Sequence, residues 1–173
     1  DSYSFLGLSE ISSVAATVDY RETGRINPQV CSTEALRPES MHIPITRSNG
    51  ITAALVVPTG GLIAGQSGLI RLSGWTPAEM VIKAPVAMHV LELKEWLKKA
   101  RFYQKRKEAA AKNPFFQLPE FDEKLEFLRP VIEGDLPLMI SVYSDKDILA
   151  AIQFVREEKI KAIFFGVTKG WKV

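Results

Sequence analysis

The chain has 173 residues, with 22 Lys plus Arg against 20 Asp plus Glu, two His and one Cys. That length suits about one domain with a buried core, and a formal charge of +2 gives no long-range field aimed at nucleic acid or an anionic membrane. One Cys excludes an internal disulfide framework and a Cys-rich zinc site. Two His exclude a His-rich metal centre built from this chain alone.

The chain opens at Asp1 rather than Met and without a signal-peptide pattern, which fits a processed product or a fragment. Residues 40–48 read as a helix despite Pro44, with Asn49-Gly50 as the stop. Residues 51–57 (ITAALVV) form a continuous apolar run closed by Pro58-Thr59-Gly60-Gly61, as in a strand covered on both faces. This run and its neighbours fall far short of the ~20 apolar residues that span a bilayer. Residues 69–72 fit a short strand, and Thr76-Pro77-Ala78-Glu79 joins a capping box to a proline at the first helical position. Residues 85–91 (PVAMHVL) make a third apolar run.

Beyond it, Leu93, Trp96, Leu97, Ala100 and Tyr103 mark one face of a long helix over 92–112, ended by Pro114 and Pro119. Residues 121–128 make a shorter helix. Residues 136–143, a capping-box helix over 144–158 and residues 160–165 then read as one βαβ unit, because Ile148, Leu149, Ile152 and Val155 keep helical spacing. Residues 166–173 read as a loop entering a further helix, which leaves one sheet face to be covered by another chain or segment. Since the strands do not alternate polar with apolar, the expected class is α/β, a parallel sheet with helices outside.

Several local patterns carry possible chemistry. The Gly-rich stretch 60–68 follows a strand, where α/β proteins place ligands, but it has neither the P-loop nor the dinucleotide spacing. It reads as a structural or substrate-facing loop, with Gly61 and Gln66 as candidate lining residues. Eight Lys or Arg across 92–112 outnumber Glu92, Glu95 and Glu108, and several of them sit at helical pair spacing, so a solvated face is the expectation. His89, near the end of an apolar strand, is a better site candidate than His42. Cys31 has no base partner in sequence, and Ser12, Ser13 and Ser67 sit in no nucleophile elbow.

Residues 47–72 (RSNGITAALVVPTGGLIAGQSGLIRL) resemble a segment of the amidohydrolase superfamily, near its imidazolonepropionase-like members, and so do residues 74–89 and 137–173. The resemblance implies a (β/α)8 barrel, of which this chain would hold about strands one to six. The small β-sandwich and the last barrel units are absent, and residues 1–173 form one domain-like fragment. It also implies zinc or another divalent metal at the mouth and hydrolysis of C–N bonds in amides and cyclic amides.

The family's first ligand pattern is Asp-x-His-x-His-x-Gly. Asp1-Ser2-Tyr3-Ser4-Phe5-Leu6-Gly7 fits that frame with Tyr3 and Phe5 in place of both His. The next ligand position falls nearest His89, the strand-five His near Ser141, and the catalytic Asp beyond Val173. Tyr3, Phe5 and Ser141 are thus expected as former metal-ligand positions lining one mouth with His89, with no metal held by this chain.

Three functions are compatible with this pattern. One is a degenerate amidohydrolase, a pseudoenzyme inactive as isolated. Another is an active metal-dependent amidohydrolase completed by another chain or segment, and the third a non-catalytic binding or scaffold module. Self-association or a missing segment is expected to cover the open sheet, with a small-molecule amide as substrate if active, and neither nucleic acid nor membrane as partner.

Overall fold

The structure is a computed structural model that describes residues 3–91, 93–113 and 115–167. The chain divides into two compact units, Asp1–Val90 and Leu91–Val173.

In the first unit, strands β1 (Ala53–Val56), β2 (Ile63–Arg71) and β3 (Val81–Val90) pair antiparallel in chain order, with Ala53 opposite Arg71 and Gly65 opposite His89. This corrects the expected α/β class, a partial (β/α)8 barrel of about strands one to six with a parallel sheet and outer helices. The physical reason lies in what covers the strands. Residues 3–36 carry only two short 3-10 turns, Ala15–Thr17 and Ser32–Ala35, yet they lie along the sheet through isolated bridges Ser4–Val56, Arg21–Thr59, Ile26–Ile63 and Cys31–Gln66. That cover buries β1 and most of β2, so the strands look apolar throughout without any crossover helix.

The same contacts revise the Gly-rich stretch, most of which belongs to β2. A Cβ on Gly65 (φ +131°) would come within 2.6 Å of the Val30 carbonyl oxygen. One on Gly61 (φ +68°) would come within 2.7 Å of the Arg25 carbonyl oxygen. Glycine here lets another stretch of backbone approach the sheet.

Helix α1 (His42–Ser48) accommodates Pro44 because a first-turn residue needs no intrahelical N–H. It presents Ile43 to a core of Leu8, Leu36, Ala54, Val56, Ile70, Leu72 and Met80. Full burial of each large side chain there contributes about 1.5–3 kcal/mol. Helix α2 (Pro77–Met80) is a single turn, capped where the Thr76 hydroxyl accepts from the Glu79 N–H at 3.3 Å.

In the second unit, α3 (Lys94–Lys112) turns Leu97, Ala100, Tyr103 and Ala110 inward. It is followed by the short helices α4 (Glu123–Phe127) and α5 (Arg129–Glu133). Glu126 holds α4 to α3: its carboxylate accepts from the Tyr103 hydroxyl at 2.9 Å and pairs with Lys107. The Lys107 ammonium lowers the Glu126 pKa below the ordinary carboxylate value.

Strand β4 (Leu138–Ser141), helix α6 (Asp145–Glu158) and strand β5 (Ala162–Phe165) form the βαβ unit, with Leu138 beside Ala162 and Ser141 beside Phe165 in parallel register. Ser144 and Asp147 make the reciprocal capping box read from the sequence. The nearly buried Glu158 is held by the Arg101 guanidinium. The expected helix after 166, and Asp1 of the ligand frame, lie outside the described residues.

Candidate functional site

Residues 3–5 run parallel to β1, with the Ser4 N–H donating to the Leu55 carbonyl at 2.9 Å and the Val57 N–H donating to the Ser4 carbonyl at 3.0 Å. On extended backbone, side chains two apart share a face. Tyr3 and Phe5 therefore stand side by side, ring centroids 5.8 Å apart and edge to face. Tyr3 also meets His89 edge to face at 6.1 Å, and Phe5 stacks on Tyr20 at 4.3 Å. The structure thus brings Tyr3, Phe5 and His89 into one aromatic cluster and adds Tyr20. Tyr20 sits in an irregular segment with no periodicity, so no sequence signal pointed to it.

His89 lies on β3 directly opposite Gly65 and is 6% exposed. Its Nε2 is buried without a hydrogen-bond partner among the described residues. Burial penalises the charged imidazolium and pulls the pKa from 6.5 down to about 4. At neutral pH the ring is uncharged and a poor general acid, with its Nε2 buried and unsatisfied.

Ser141 ends β4 in the second unit. Gln66 is buried, and its side-chain amide donates to the Pro28 carbonyl at 2.7 Å. Gly61 faces the Arg25 backbone. Both of these positions serve the seating of residues 25–31 on the sheet. Cys31 is half-buried, with its sulfur 3.2 Å from the Thr33 hydroxyl. Phe5 and Tyr20 also line an open cleft of about 450 Å³, together with Ser4, Glu10, His42 and Thr46 among others. There the His42 Nε2 lies 3.0 Å from the Glu10 carbonyl oxygen.

The donor set can be tested against a divalent metal. Phe5 offers no ligand atom, and Tyr3 would have to lose a proton from a phenol of pKa ~10. Among the described residues no three His, Cys, Asp or Glu side chains come together in a way that could hold an ion. Among the described residues, those that stand in the ligand frame do not offer the donor set of a zinc-type centre.

No protein-family model matches the chain, and no curated protein sequence matches it. Among solved structures, the crystal structure of an amidohydrolase from Thermotoga maritima MSB8 matches with a TM-score of 0.90 at 22% identity. The match covers 99% of this chain and 51% of that one. The chain therefore has an amidohydrolase-like fold and spans about half the length of this structural neighbour.

Proposed function

We propose that this chain is a degenerate amidohydrolase, related to hydrolases of C–N bonds in amides and cyclic amides but inactive as isolated. The observation that carries this reading is the aromatic packing of Tyr3, Phe5 and Tyr20 around the ligand frame. Metallohydrolases draw much of their rate from water activated on the metal. A phenol and a phenyl ring in place of two imidazoles remove the means of holding that ion, and a single neutral His89 does not replace it.

A second reading draws on one specific feature. The buried, unpartnered Nε2 of His89 is a donor available to an ion whose other ligands come from another segment or chain. The chain's half-length match to its neighbour is compatible with that arrangement. In this case the protein is a metal-dependent amidohydrolase only when assembled, through self-association or the added segment, and acts on a small-molecule amide.

Elemental mass spectrometry after incubation with zinc and exhaustive dialysis tests the first reading. Less than about a tenth of an equivalent retained is expected, since metal affinity requires a complete, deprotonated ligand set. Near one equivalent, lost in His89→Ala, would reject the first reading in favour of the second. Cyclic amides would then be assayed with the same variant as control.

A further inference from the structure

Residues 9–18 form a loop closed by the bridge between Ser9 and Val18 and knit to itself. The Glu10 N–H donates to the Thr17 carbonyl at 3.2 Å. The Thr17 hydroxyl donates to the Ile11 carbonyl at 2.8 Å and accepts from the Ile11 N–H at 3.1 Å. At the start of α1 the His42 Nε2 meets the Glu10 carbonyl oxygen at 3.0 Å. A carbonyl only accepts, so this nitrogen carries the proton and ties the helix to the loop. All these contacts hold the Glu10 backbone, and none of them uses its side chain.

That side chain is 24% exposed. Its Oε1 is buried without a hydrogen-bond donor among the described residues. Its Oε2 lies 3.9 Å from the His42 Nε2, beyond hydrogen-bond reach, and no Lys or Arg among the described residues pairs with it. A carboxylate oxygen shut away from water and given no donor is costly to the folded chain, and a cation on the other oxygen offsets that cost. The cleft of about 450 Å³ has the size of a small-molecule site. Among the described residues Glu10 is the one acid in its wall, and no Lys or Arg lines it. Of the cations on neighbouring segments, Arg37 is paired with Asp19, and Arg21 lies against the Tyr20 ring and lines a different cleft. Ser9, Ser12 and Thr46 add hydroxyl-bearing residues to the wall, and Phe5 and Tyr20 add ring surface.

We propose that this cleft binds an organic ammonium ion, a protonated primary amine that carries an aromatic or other apolar body. The ammonium group meets the Glu10 Oε2 in a charge-assisted hydrogen bond and gives its remaining protons to hydroxyl oxygens of the wall. The body packs against Phe5 and Tyr20, whose rings also favour a nearby cation. The sign of the one acidic side chain disfavours an anion. Donor number disfavours a bare metal ion, since no three His, Cys, Asp or Glu side chains come together among the described residues in a way that could hold one. The inference does not rest on the metal reading of Tyr3, Phe5 and His89, and its test is separate from zinc retention.

Titration of phenethylammonium into the full chain at about pH 8, where an alkylammonium keeps its proton, tests it through the two imidazole Cε1–H resonances. The His42 resonance, assigned by its loss in His42→Gln, is expected to shift to saturation while that of the buried His89 stays in place. Neutral 2-phenylethanol and anionic 3-phenylpropionate should bind at least about tenfold more weakly, because each lacks the charge-assisted bond. Glu10→Gln keeps the side-chain volume and the backbone bonds of the loop. It should weaken amine binding at least about tenfold with circular dichroism unchanged. Added salt should weaken it further. Equal binding of amine and alcohol, amine binding that survives Glu10→Gln, or a shift confined to His89 would overturn the proposal. So would the lack of a saturating shift up to about 10 mM amine. Ammonium chloride or magnesium chloride that moves His42 equally at the same concentration would also overturn it, since the occupant would then be an inorganic cation.

Discussion

Acidification should destabilise the first unit through His89 in a defined window. The folded pKa of about 4 lies below the ordinary 6.5, so the unfolded chain takes up a proton first as pH falls. The contribution is fully present above about pH 6.5, declines between there and about 4, and is exhausted once the folded state also protonates. At 1.36 kcal/mol per unit, the displacement corresponds to roughly 3 kcal/mol lost across the window. Carboxylates titrate in the same range, so the informative quantity is a difference: the urea-unfolding free energy of the wild type minus that of His89→Gln, measured from neutral pH down to about pH 4. That difference should shrink by roughly 3 kcal/mol. Having only two His makes a direct check simple. In a His42→Gln background the one remaining imidazole Cε1–H resonance should titrate near pH 4. A midpoint near 6.5 would refute the reasoning, because it would mean the ring is reached by water.

Two further perturbations probe the packing. Gly65→Ala places a methyl group against the Val30 carbonyl at a φ of +131°, and should cost about 2 kcal/mol or more in chemical denaturation while speeding amide exchange over residues 25–31. A loss below about half a kcal/mol would mean that this segment yields freely. Arg101→Leu strands the nearly buried Glu158 carboxylate and should cost about 3 kcal/mol at neutral pH, partly recovered in Arg101→Leu/Glu158→Gln. Equal stability of the single and double variants would show that the charge is not what matters.

The second unit's βαβ element was legible because its signals are local. A serine with an aspartate three residues on, followed by apolar residues at helical spacing, defines α6 without reference to anything distant. The first unit was misread because continuous apolar strands were taken to require helices on both faces. Starting the second strand at residue 69 also left eleven residues between the strands, where the structure starts it at Ile63. Only residues 57–62 separate β1 from β2, too few for the crossover of a dozen or more residues that a parallel pair needs. What covers the strands is irregular backbone from 3–36, and such a segment leaves no period to detect. The aromatic cluster was half legible for the same reason. Tyr3 and Phe5 emerge from the spacing of two within a known frame, and His89 from its place on a strand, whereas Tyr20 joins through tertiary proximity alone.

The bridges that seat residues 3–36 also have a kinetic meaning. Each joins a residue to a partner far later in the chain, so loop closure must precede any reward from the contact. The sheet β1–β3, joined by short connections, carries no such delay. On this ground the amino-terminal segment is expected to join the unit after the sheet and to be the first to peel away in local opening, which faster amide exchange over residues 3–36 than over β1–β3 would show. Tyr3 and Phe5 travel with it, so the wall closing over His89 is also the part of the unit most easily lifted. With His89 only 6% exposed in the folded unit, a ligand for that imidazole would have to enter by lifting this segment.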